Sequence, residues 1–280
     1  MSLSKLTFLV GVLALVAGSA AERNDSIKLV IGPTCGKLTA TGNATDANRG
    51  LRNLREYKTI VSFGDSYTAG GVKDGSPLAP PVITPPSPKA GGRTTNGPVW
   101  IENIANDIGA RFMDYAVGGA VTDRILWPSK ASNWDFVQEA DIFLSQNNTL
   151  DSSTALYTVY FGIKCAYLRI TDVRAHPRMR DREGFKKKVF NGITEMKSRV
   201  PSMRFGFVDF AYLWDAVRGP TPGYAAFGYT SIGSCTLNSS TIEGACNDPD
   251  HTFYWIPNHP SKQTHRIMAD YVEAALEKCH

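Results

Sequence analysis

A short apolar run, Thr59-Ile60-Val61-Ser62-Phe63, breaks off at Gly64-Asp65-Ser66, and no other stretch constrains the fold as much. β-Branched and aromatic residues fill the run, which reads as a strand, and Gly64 ends it. Ser66 therefore stands at the carboxyl end of a strand, with Gly64 before it and Gly70-Gly71 after it. Open α/β sheets place their sites at that edge. A strand followed by a plain polar turn has the same local pattern, so the rest of the chain decides what Ser66 does.

The rest alternates strands with helices. Strands are expected over Phe112 to Val117, Ala155 to Phe161 and Arg204 to Phe210. The second is almost continuously apolar, as a buried parallel strand should be. Helices are expected from Pro98 to Ile108, Trp134 to Leu144, Gly184 to Val200 and Ser261 to Lys278. Helical spacing turns Trp100, Ile101, Ile104 and Ile108 inward in the first, and Phe185, Val189, Ile193 and Met196 in the third. In the last, the inward set is Ile267, Met268, Tyr271, Val272 and Leu276. Such alternation implies an α/β sandwich around a mainly parallel sheet. Between Ser66 and the first helix, Val72 to Gly92 carries six prolines. Proline fixes φ and removes a donor, so this is a long loop, and it should border the cleft.

With 280 residues, 42% hydrophobic and 20% charged, the chain suits one large domain. Residues 1–21 stand apart. Lys5, an apolar run from Leu6 to Val16 and the small residues Ala17 to Ala21 form a secretory signal pattern. The run falls short of the roughly 20 residues of a membrane span, so stable membrane insertion is not expected. Residues 22–56 read as a loosely ordered lead-in, and 57–280 as the folded domain. Secretion agrees with sequons at Asn24, Asn43, Asn147 and Asn238. It also permits disulfides among the five cysteines. Cys235 and Cys246 flank a Gly/Ser/Thr-rich loop and should pair. Cys35 with Cys279 could tie the ends, which leaves Cys165 over. Net charge is +4, too weak to argue for nucleic acid. Eight basic residues against three acidic ones between Arg169 and Lys188 form a solvated basic stretch or a patch for anionic surfaces.

Five segments, in order, resemble the GDSL, or SGNH, esterase and lipase family. The first is Phe63-Gly64-Asp65-Ser66-Tyr67-Thr68. The others resemble the fungal secreted, acetylesterase-like branch: Arg93-Thr94-Thr95-Asn96-Gly97-Pro98-Val99-Trp100, Asp114-Tyr115-Ala116-Val117-Gly118-Gly119-Ala120, Tyr224-Ala225-Ala226-Phe227-Gly228-Tyr229 and Trp255 to Ser261. The resemblance implies a three-layer, flavodoxin-like α/β/α sandwich. It also implies Ser66 as nucleophile, His259 as base, and the Ser66 and Gly118 amides as oxyanion donors. Two blocks depart from the family. Gly162-Ile163-Lys164-Cys165 stands where the family has Gly-x-Asn-Asp, so Lys164, in the place of the asparagine donor, either donates to the oxyanion or points into solvent. Ile256 stands where an aspartate usually precedes the histidine by three residues. A backbone carbonyl, or Asp248 or Asp250 folding back, would then orient the imidazole. His251 and His265 read as bystanders.

The implied activity is a secreted, monomeric serine esterase. Its substrates would be small-molecule or oligosaccharide esters with short acyl groups, chiefly acetylated plant cell-wall saccharides. A different reading keeps the fold but binds acylated saccharide or lipid without turnover. No metal or organic cofactor is implied, since no His/Asp/Glu cluster has ligand spacing.

Overall fold

The structure, a computed structural model, describes residues 26–36, 46–125, 128–162 and 182–280. Its centre is a parallel sheet in the order β3 (Arg111–Asp114), β2 (Thr59–Gly64), β4 (Ala155–Tyr160). Ile60 pairs with Phe112 on one side and Leu156 on the other. Because β2 is flanked on both edges, Ile60, Val61, Ser62 and Phe63 are all buried. Its side chains alternate between two layers. Ile60 joins a cluster with α1 (Trp100–Ile108), α4 (Phe210–Arg218) and α5 (Lys262–Lys278). Val61 and Phe63 face Met113, Tyr115 and the Phe136 and Phe143 rings of α2 (Phe136–Ser145). The fold is thus an α/β sandwich, helices on both faces of a parallel sheet. Each large aliphatic side chain that α5 buries, such as Ile267, Met268 or Leu276, contributes about 1.5–3 kcal/mol.

Three expectations are corrected. β4 is not buried on both faces, because it lies at the edge of the described sheet; Tyr157 and Val159 are 48% and 59% exposed. In α3 (Arg182–Arg199) the buried residue is Phe190, whose ring lies 4.7 Å from Phe207; Val189 and Ile193 are half-buried, Met196 is exposed, and the Phe185 side chain lies outside the described residues. The strand expected to reach Phe210 is β5, Phe205–Phe207, and it pairs antiparallel with β1 (Ala47–Arg49) outside the central sheet. Asp209 then caps α4, its Oδ1 accepting the Ala211 N–H at 3.0 Å. The aromatic run from Phe210 to Trp214 mimics a strand, but the cap and the helical spacing of Leu213 and Val217 prevail.

Residues 26–36 and 46–56 pack onto this body, where the sequence reads as a loose lead-in. Ile27 enters the main core, and a disulfide joins Cys35 to Cys279. The buried Asp46 carboxylate accepts the Thr34 N–H, the Asp209 N–H and the Tyr271 hydroxyl. A buried carboxylate needs such donors, and together they hold the segment in place. No helix among the described residues is long and apolar enough to cross a membrane.

The proline-rich loop is tied down at several points. Gly91 N–H donates to Val82 O at 3.1 Å, Ile242 N–H to Pro86 O at 3.0 Å, and the Trp255 indole N–H to Pro88 O at 2.5 Å.

Candidate active site

β2 ends at Gly64 because nothing larger fits. A Cβ there would lie 2.5 Å from the Tyr160 carbonyl oxygen and 2.9 Å from Thr68 Oγ1. The chain then turns tightly, with the Thr68 and Ala69 N–H groups donating to Asp65 O at 2.9 and 3.0 Å. The Asp65 side chain accepts the Tyr67 N–H at 3.0 Å and the Gly162 N–H at 3.2 Å, which ties the turn to the end of β4. Ser66 sits on this turn, nearly buried.

Its hydroxyl Oγ lies 2.9 Å from Nε2 of His259, 193 residues away in sequence. The histidine occupies a turn between β6 (Thr252–Tyr254) and α5. That turn closes through His259 N–H to Ile256 O and Trp255 N–H to His259 O, both 2.9 Å, with Asn258 at φ 62°. Nδ1 of His259 donates to the Pro257 carbonyl at 3.0 Å. A carbonyl only accepts, so the proton is on Nδ1 and Nε2 is open to the serine hydroxyl. The two acids considered from the sequence are engaged elsewhere: Asp248 with His251 at 2.8 Å and Asp250 with Lys262 at 2.9 Å. His251 in turn bonds Ser26 Oγ at 2.9 Å, fastening the upstream segment.

Gly118 follows β3. Val117 N–H donates to Gly64 O at 3.0 Å, which brings Gly118 alongside the serine turn. A Cβ at Gly118 would meet nothing within 4 Å, so the space beside it is open. Among the described residues, neither the Ser66 nor the Gly118 N–H donates to a protein acceptor. Lys164, Cys165, Asn24 and Asn43 lie outside the described residues, as does most of the basic stretch. Asn147 and Asn238 are exposed.

Four further residues hold this arrangement, and the sequence reading assigned none of them a role. Tyr67 donates its hydroxyl to Asn258 O at 2.6 Å. Thr94 Oγ1 donates to Ser66 O at 2.8 Å, and Asn96 Oδ1 accepts the Lys262 N–H at 2.7 Å. Thr94 and Asn96 thus brace the serine turn and the start of α5 from one segment. Their presence in the Arg93 to Trp100 block was the available signal. That segment is anchored by Arg93, whose buried guanidinium grips Glu102 with two 2.7 Å bonds. The fourth is Glu139 on α2, whose two oxygens accept the Gly64 and Val117 N–H groups.

Burial dominates the electrostatics. It pushes the Asp114 carboxyl up to about 8 and the Glu139 carboxyl up to about 9. Burial, with His259 nearby, pushes His265 down to about 3, so its imidazole is neutral. Nδ1 of His265 accepts the Trp100 N–H at 3.2 Å, a structural use. The Cys235–Cys246 disulfide packs with Trp255 and Ile256 under the histidine turn.

A serine hydroxyl bonded to an imidazole whose tautomer is fixed, beside two undonated amides, can carry out nucleophilic acyl transfer. Residues 60–207, more than half of the chain, match the family model described as GDSL-like Lipase/Acylhydrolase. No curated protein matches the chain.

Proposed function

Since the chain belongs to the GDSL-like lipase/acylhydrolase family, we propose that it is a secreted serine hydrolase of carboxylic esters, with Ser66 as nucleophile and His259 as base. The observation that carries this reading is the 2.9 Å contact between Ser66 Oγ and His259 Nε2. As Oγ attacks the acyl carbon, Nε2 takes the hydroxyl proton. The Pro257 carbonyl, bonded to Nδ1, keeps the ring oriented and helps bear its charge. The carbonyl π electrons move to oxygen, and the Ser66 and Gly118 N–H groups hold that oxyanion, Lys164 being the proposed third donor. Collapse expels the alcohol, which takes the proton from His259. A water then repeats the cycle on the acyl-enzyme and releases the acid, and Ser66 regains its proton.

Acetyl and other short acyl esters of plant cell-wall saccharides are the proposed substrates, on the likeness of the Arg93, Asp114, Tyr224 and Trp255 segments to the fungal branch. Secretion is supported by the leader-like residues 1–21 and by the two disulfides, which persist in oxidising compartments. Exposed Asn147 and Asn238 are the proposed glycosylation sites within the described residues.

A second reading, binding without turnover, draws on Ile256. It is buried against Cys235 and Trp255 where an acid is usual. Hydrolysis of p-nitrophenyl acetate and butyrate by wild type, Ser66→Ala and Lys164→Asn separates the two. The esterase reading expects Ser66→Ala at background, and fails if wild type is there too. One oxyanion donor is typically worth about 100- to 1000-fold in rate. A gain in Lys164→Asn would mark the lysine as a poor substitute, and a loss as a working donor.

A further inference from the structure

Glu139 is fully buried beneath the serine turn, on a helix that otherwise supplies apolar side chains to the sheet. No cation pairs with it among the described residues. An uncompensated buried carboxyl is costly, so its two backbone bonds offset that cost. Oε2 accepts the Gly64 N–H at 2.9 Å and Oε1 accepts the Val117 N–H at 3.1 Å. Gly64 ends β2, two residues before Ser66. Val117 lies just beyond β3, one residue before Gly118. One side chain from α2 therefore spans the ends of two strands, and each amide it takes lies within two residues of an amide left undonated.

We propose that Glu139 is the positioning residue of the oxyanion hole: by clamping the Gly64 and Val117 amides it fixes the separation and direction of the Ser66 and Gly118 N–H groups. This rests on the esterase reading above and adds to it a residue that never touches substrate. The physical need is clear. An oxyanion hole works only if its donors already point where charge develops, and displacements of about 1 Å can cost roughly 100-fold. β2 and β3 are joined by ladder bonds up to Ser62 and Asp114. Past them the chains stay bonded through Tyr115 N–H to Ser62 O at 2.9 Å and Val117 N–H to Gly64 O at 3.0 Å, and then one enters the serine turn and the other the glycine turn. The Val117 N–H, the last of these donors, is shared between Gly64 O and Glu139 Oε1, and Glu139 Oε2 takes the Gly64 N–H, so the carboxyl ties the two chains together where the sheet bonding ends.

The charge state suits the role. Burial, reinforced by Asp114 at the end of β3 and Asp65 in the serine turn, holds the Glu139 carboxyl uncharged at neutral pH. The two backbone N–H groups favour the charged form, but burial outweighs them, and the neutral acid avoids placing an anion beside the oxyanion.

The test uses the full chain with p-nitrophenyl acetate, and active sites counted by covalent labelling of Ser66 with a fluorophosphonate. In Glu139→Gln one clamp oxygen becomes an NH2 facing an N–H. The expected result is a folded protein with kcat per labelled site down roughly 10- to 100-fold, KM within about threefold, and a weaker alkaline loss of kcat than wild type. Glu139→Asp, which shortens the reach by one methylene, should fall between the two, and it decides the matter if the Gln variant does not fold. A purely structural residue would lower Tm and yield while leaving kcat per labelled site at the wild-type value, and that result in a folded variant overturns the proposal. Wild type no better than Ser66→Ala would instead overturn the esterase reading and this inference with it.

Discussion

Tyr67 and Asn258 are joined by a 2.6 Å hydrogen bond from the phenol to the backbone carbonyl, so the residue after Ser66 is bonded to the residue before His259. The Tyr67 ring also lies 5.8 Å from the His259 ring and 6.0 Å from Trp214. The phenol links the serine turn to the histidine turn. Removing the hydroxyl alone costs about 1 kcal/mol in stability, a Tm drop of roughly 2–4 °C. Its effect on rate should be larger, about tenfold in kcat/KM for Tyr67→Phe, because Ser66 and His259 lose a shared brace. An unchanged kcat/KM in the folded variant would show that the two turns hold their positions without it.

Arg93 should be the most sensitive charged residue for stability. Its guanidinium is almost fully buried and bonded twice to Glu102, whose Oε2 also takes the Val99 N–H at 3.0 Å. Arg93→Ala strands a buried carboxylate, which typically costs about 3–5 kcal/mol. The double change Arg93→Met with Glu102→Leu should recover much of that loss. Urea denaturation measures both, and a loss below about 1 kcal/mol for Arg93→Ala would contradict the account.

Stability should be greatest in mild acid. Asp114 and Glu139 stay protonated in the fold up to about 8 and about 9, against ordinary values of 3.8 and 4.5. Between those limits the unfolded chain holds fewer protons than the fold, so stability falls as pH rises. His265, pushed down to about 3 from 6.5, acts the other way: below 6.5 the unfolded chain gains a proton that the fold refuses. Two carboxyls outweigh one imidazole until they too are protonated in the unfolded chain. Tm should therefore peak near about pH 4–5 and decline toward pH 8. Calorimetry across that range checks it, and a Tm that climbs steadily to neutrality would contradict it.

The Cys35–Cys279 disulfide closes a loop of 244 residues. Replacing both cysteines by serine should cost about 3–5 kcal/mol, chiefly by freeing the unfolded chain. Activity well below the transition should persist. Cys279 lies at the far end of α5 from His259, about 25 Å away along the 17-residue helix. A variant equally stable but inactive would place the disulfide's role at the site, contrary to this geometry.

Much of this was legible in the sequence. The strand into Gly64-Asp65-Ser66 and the helix after Ser261 announce themselves through β-branched residues, a breaking glycine and a serine cap. α4 was not legible, because Phe210 to Trp214 is as aromatic as a strand and its cap is a single aspartate. Nor was Glu139. In the sequence it is an ordinary polar residue on a helix, and its burial arises from how α2 crosses the ends of β2 and β3.

Most local conformations and the inventory of reactive groups are written in the chain itself, since strand propensity, glycine breaks and helix caps act over a few residues. It supplied Ser66 on a turn after β2 and His259 ahead of α5. Packing across the chain brings these two to 2.9 Å, gives the Nδ1 proton to Pro257 rather than Asp248 or Asp250, and sets Tyr67, Thr94 and Glu139 around the meeting. The reason is distance along the chain. A contact across 193 residues is fixed by the packing of α1, α4 and α5 onto the sheet, and no local pattern encodes which donors that packing leaves open.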